Sequence, residues 1–191
     1  EVTGYRAPMM SLVPASAWAV PLIAEAGFTY SSSVLPGPSP LYGWPGLPRR
    51  PFRWSGGPIE FPCPMVRLGP IDLPYLGGTS LRLLPAAVRR IGLRRAARDE
   101  ALWAYCHPWE FDTEEAFHQH DHIGTLASRI AWLGRSRMGR QLGRLLRESV
   151  APPLGEVAED LAGDDLPVVD PNRPPELGSV ARWANGRLRQ R

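Results

Sequence analysis

Alternating strand, turn and helix patterns place this 191-residue chain in the α/β class. Two β-forming segments run straight into Pro-bearing turns, the first ten residues at Arg6-Ala7-Pro8 and residues 101–106 at His107-Pro108. Apolar helix patterns separate them. With 43 % hydrophobic residues, seven Trp, five Tyr and five Phe, the chain has the material for a packed core, which excludes wholesale disorder.

In chain order, EVTGYRAPMM predicts a strand that delivers Arg6 to a loop at its end. A helix follows, with Trp18, Leu22, Ile23 and Ala26 on one face, Pro21 in its first turn or at a kink, and Gly27 as its stop. Residues 28–34 form a short strand. From Pro36 to Pro85, 12 of 50 residues are Pro and eight are Gly, too many breakers for continuous helix. This long loop region contains two short strands, Ile59-Glu60-Phe61 and Met65-Val66-Arg67-Leu68, and Trp44, Phe52, Trp54 and Tyr75 pin it to the core. Residues 84–98 read as an amphipathic helix with apolar positions 84, 87, 88 and 91. Residues 101–106, LWAYC preceded by Ala101, are continuous and apolar enough for a central strand. A second helical pattern spans 123–146, with possible breaks at Gly134 and Gly139. Beyond it the chain turns acidic, then Pro-rich, then Arg-rich, and poor order is expected from about residue 167.

All 22 basic residues are Arg and the net charge is only +3, which gives weak grounds for nucleic-acid binding. Arg137, Arg140, Arg144 and Arg147 form a stripe at helical spacing, but no aromatic residues interleave with it, so it reads as a solvated face. The two cysteines, Cys63 and Cys106, form neither a zinc knuckle nor a disulfide framework. Pro8, Pro14 and Pro21 interrupt the longest uncharged stretch, which predicts no membrane span. The start at Glu1, inside what reads as a folded unit, leads to the expectation that a preceding segment is missing.

The strongest pair of chemical candidates lies at the two strand ends. His107, fixed by Pro108 and flanked by Trp109, suits a general acid or base, or else a structural role capping a loop carbonyl. Arg6 suits bidentate orientation of a carboxylate, or a surface ion pair.

The order of GYRAP, EAGFTYSSSVLP, GLPRRPF, IEFP and HPWEFD resembles the second half of polysaccharide deacetylases of the NodB-homology class, in particular the exopolysaccharide-associated bacterial group, over residues 1 to about 125. That resemblance implies an incomplete (β/α) barrel over 1–125, a C-terminal helical extension over 126–166 and a disordered tail over 167–191. It implies a parent enzyme that removes acetyl groups from an N-acetylated polysaccharide or oligosaccharide in a bacterial cytoplasm or cell envelope. Arg6 would orient the catalytic base, His107 would protonate the leaving amine, and Tyr5, Trp18 and Trp109 would line the groove. The alternative is a non-catalytic carbohydrate- or partner-binding derivative.

Two departures stand out. Ser31 occupies a position where the family carries an Asp that tunes the acid His. The family's Asp-Asp pair and His-x-x-x-His metal motif would precede GYRAP, so a divalent, zinc-like metal is expected only in an intact parent and not in this chain. His118, His120, Asp121 and His122 offer a substitute cluster by spacing, but their order is wrong for the family, and solvated loop histidines are the expectation.

Overall fold

The computed structural model describes residues 1–39, 42–96, 101–121, 124–148 and 150–173. Its architecture is mixed α/β. Strands β1 (Gly4–Tyr5), β2 (Tyr30–Ser31) and β4 (Ile59–Glu60) lie parallel and adjacent, with Tyr30 opposite both Gly4 and Ile59. β3 (Phe52–Trp54) runs antiparallel to β4, and β7 (Val168–Val169) pairs parallel with β3. The sheet order is therefore β1-β2-β4-β3-β7, open at both ends among the described residues. A separate hairpin joins β5 (Met65–Leu68) and β6 (Ile71–Pro74), and its turn uses Gly69 at φ +60°. That left-handed conformation is one only glycine adopts without strain.

Helix α1 (Ala19–Glu25) ends, as expected, at Gly27, whose φ of +87° lets Phe28 N–H reach back to the Ile23 carbonyl. Its buried face is Val20 and Ile23, continuing from Ala17. The expected face with Trp18 and Leu22 points to solvent instead, at 66 % and 50 % exposure. The small Ala17 conceals the true i, i+3 stripe, which packs Val20 with Phe52, Trp44 and Trp54 in one cluster of the core. A second cluster gathers Ile59, Phe61, Cys63 and Met65 with Trp103.

The third cluster joins Val66, Tyr75 and Leu81 to the C-terminal helices through Met138 and Leu145. Helix α2 (Gly78–Leu83) was not anticipated, whereas α3 (Ala86–Arg95) falls inside the predicted 84–98. The predicted helix over 123–146 divides at Gly134, φ +77°, into α4 (Gly124–Trp132) and α5 (Met138–Glu148), and Gly139 does not interrupt α5. Helix α6 (Leu154–Asp160) lies within the acidic stretch. β7 orders residues 168–169 within the expected tail, and residues 174–191 lie outside the described residues.

One strand is not formed as expected. Residues 101–106 make a single parallel bridge, Gly77 to Tyr105, rather than a ladder. Side-chain alternation survives: Trp103 is buried and Tyr105 half-buried, while Ala104 and Cys106 are exposed. No helix among the described residues is long and apolar enough to cross a membrane.

Candidate functional site

At the end of β1, Tyr5 and Arg6 have different partners. Tyr5 turns to Phe28, ring centroids 5.5 Å apart, and packs at the margin of the first core cluster. Arg6, one residue on, lies over the Trp103 ring at 4.2 Å from its centroid, and its Nε donates to Ser32 Oγ at 2.8 Å. Partial burial pushes the guanidinium below its usual range, opposed by the nearby Cys63, Tyr105 and Glu60.

The loop holding Arg6 is built on a buried carboxylate. Glu60 Oε1 accepts the Ser33 and Val34 amides at 2.6 and 3.0 Å, and Oε2 accepts Trp54 Nε1 at 3.2 Å. Ser31 Oγ donates to Ser33 Oγ, which also accepts the Ala7 amide at 2.9 Å. Ser31 is fully buried in this network, so it faces Glu60 and Ser33. Burial raises the Glu60 carboxyl above its ordinary value, against hydrogen bonds from Ser31, Ser33 and Trp54 that lower it.

From Trp103 the chain carries an aromatic ladder at every second residue as far as Trp109. Trp103 and Tyr105 are 5.8 Å apart, Tyr105 and His107 6.3 Å, and His107 stacks on Trp109 at 5.6 Å with ring planes 8° apart. Trp103 is anchored by Nε1 donating to the Pro62 carbonyl at 3.1 Å. Tyr105 crosses Gly77, where any Cβ would meet its ring at 2.6 Å. Burial pushes the Tyr105 phenol up to about 12. The ladder thus runs unbroken from the Arg6 guanidinium to the exposed His107 and Trp109.

The far end of the ladder is fixed by a buried ion pair. Glu110 Oε2 accepts the His107 amide at 2.8 Å, closing the turn Pro108–Phe111, and Oε1 accepts Arg82 Nε at 3.0 Å. Both side chains are essentially inaccessible, at 1 % and 0 % exposure. Arg82 and Arg135 each lie near the Trp109 ring, at 5.4 and 5.3 Å from its centroid.

Arg6, His107 and Trp109 are therefore linked by one row of ring contacts that passes through the buried Trp103 and the half-buried Tyr105. Tyr5 packs against Phe28 instead, and no contact among the described residues joins the exposed Trp18 to the row. Glu60, Arg82, Trp103 and Glu110 were not singled out from sequence. His118 and His120 are ring to ring at 5.3 Å, but His122 lies outside the described residues, and the described residues contain no group of three His, Cys, Asp or Glu suited to a metal ion.

A family model described as "Domain of unknown function (DUF3473)" matches residues 32–154, almost two thirds of the chain. The chain belongs to the DUF3473 family. No curated protein and no solved structure matches it. The DUF3473 segment begins at Ser32, the partner of Arg6, and takes in Glu60, Arg82, the aromatic ladder, Glu110 and both helices α4 and α5. Arg6 itself precedes it.

Proposed function

We propose that this DUF3473 chain supplies the proton-donating side of a groove in a polysaccharide deacetylase-like protein, built as part of an incomplete (β/α) barrel that hydrolyses N-acetyl groups of a bacterial polysaccharide. The observation that carries the reading is the single row of contacts in which Arg6, Trp103, Tyr105, His107 and Trp109 follow one another. The association of DUF3473 with polysaccharide deacetylase-like proteins and the order of GYRAP before HPWEFD support it.

In this reading His107 gives a proton to the departing amine, because an imidazole can carry a proton on either ring nitrogen and this one is exposed and held in a defined ring plane by stacking on Trp109. Arg6 orients a carboxylate brought by another segment of the protein, with Ser32 and the Trp103 face fixing its approach. Trp109, 40 % exposed, lies beneath a sugar ring. The described residues hold no fitting set of metal ligands, so no step is routed through a metal on this chain.

The test uses the protein at its full natural length and an acetylated glucosamine oligomer as substrate. His107→Ala should lower kcat by about 10²–10⁴. Full retained activity would show that His107 is not the acid.

A second reading is a carbohydrate-binding protein without chemistry, favoured by the solvent-facing Trp109 and His107 plate. Its signature is triacetylchitotriose shifting the Trp109 indole resonance in a protein that never releases acetate.

A further inference from the structure

We infer that the C-terminal helix α4 acts on the candidate acid through Arg82, a positioning residue that holds the His107–Trp109 corner by way of Glu110. This inference rests on the proposed role of that corner.

The geometry converges on the Arg82 guanidinium from three directions. Its Nε meets Glu110 Oε1 at 3.0 Å, and the other oxygen of that carboxylate accepts the His107 amide. Its Nη1 donates to the carbonyls of Ile130, at 3.3 Å, and Leu133, at the C-terminal end of α4. These are end-of-helix acceptors with no partner inside the helix, and they carry the negative end of its dipole, so a cation there is favoured twice. Its Cζ also stands over the Trp109 ring at 5.4 Å.

Arg135, just past α4, reinforces the same contact. It lies 5.3 Å from the Trp109 centroid and is steadied by Glu115 and by the Asp112 carbonyl. Gly134 permits the close approach: its φ is +77°, and a Cβ there would stand 3.0 Å from the Arg82 carbonyl oxygen. Gly78 does the same on the other side, lying against the Glu110 carboxylate.

A fully buried Arg–Glu pair is a costly way to gain stability alone, because desolvation offsets most of the attraction. What this pair adds is direction. Both carboxylate oxygens and at least two guanidinium nitrogens are committed, so the turn 107–110 has one orientation relative to α4. Lys at position 82 would keep the charge and lose the fork that reaches Glu110 and two carbonyls together.

The test uses the whole chain and the variants Glu110→Gln and Arg82→Lys, with NMR as the readout so that catalysis is not required. Both should accelerate hydrogen exchange of the His107 amide at least tenfold and move the His107 ring protons, whose shifts report stacking on Trp109. The amides of Arg53, Trp54 and Ile59 should keep their protection. Unchanged His107 exchange and ring shifts in a folded variant would overturn the inference. Global unfolding of both variants would overturn it too, since the pair would then support the fold at large. Triacetylchitotriose separates the two levels: failure to perturb Trp109 even in the unaltered chain counts against the groove, whereas perturbation equal in all three proteins counts against the positioning role.

Discussion

Gly78→Ala is the smallest change that attacks the buried pair. A Cβ at residue 78 would lie 1.8 Å from Glu110 Oε2 and 2.3 Å from Oε1, where ordinary contacts involving carbon fall near 3.5 Å. To clear it the carboxylate must withdraw by roughly 1.2 to 1.7 Å. That movement stretches the 2.8 Å bond from His107 N–H and the 3.0 Å bond from Arg82 Nε beyond hydrogen-bonding range. Separating a buried ion pair costs about 3–5 kcal/mol. Replacing Gly by Ala in a helix returns at most about 1 kcal/mol. The expected net loss is about 2–4 kcal/mol. Urea unfolding followed by far-ultraviolet circular dichroism measures it, with the same denaturant dependence in both proteins. A variant as stable as the parent would refute the reasoning, because it would mean that the carboxylate has room to move and does not fix the turn.

Glu60→Gln should destabilise the chain by about 1–3 kcal/mol, since its amide group brings donors to a site already filled by the Ser33, Val34 and Trp54 N–H groups. The pH dependence has a definite sign. The folded carboxyl is held above its ordinary value, mainly by burial, so the unfolded chain releases its proton first, and the parent protein loses this contribution as pH rises from the unfolded value through the folded one. The urea midpoint of Glu60→Gln should be flatter across that window, and an identical slope would remove Glu60 as the source. Thiol labelling at pH 8 should modify one cysteine: Cys63 is buried and pushed up to about 12, chiefly by desolvation, while Cys106 is exposed. Cys106→Ser should then react negligibly, and rapid reaction of both thiols in the parent would mean that the second core cluster opens readily.

The features legible in the sequence are those set by near neighbours. A β-forming run stopped by Ala7-Pro8 marks the end of β1 and so places Arg6 at a loop. Met65–Leu68 and the helix ending at Gly27 are marked in the same local way. Residues 101–106 misled because Ala104 and Cys106 are apolar by type but small enough to stay exposed, which hides the alternation of Trp103 and Tyr105. Arg82 and Glu110 lie 28 residues apart, and nothing around either distinguishes a buried ion from a surface one. Glu60 was read only as part of a strand because its four hydrogen-bonding partners come from two other segments. The candidate site was thus legible where function sits at a strand end, and illegible where tertiary contacts hold it in place.

The spacing of the aromatic ladder restricts how this segment can change length. The first three rungs fall on alternate residues, with Ala104 and Cys106 exposed between them, and Trp109 follows in the turn Pro108–Phe111. Inserting or deleting one residue between Trp103 and His107 would exchange the two faces and leave small side chains where the rings now stand. A two-residue insertion between Trp103 and His107 would preserve the face and carry the His107–Trp109 corner about 6.6 Å further from Arg6. Homologous segments that differ in length here are thus expected to differ by even numbers, and each step would set a new distance between the two ends of the ladder.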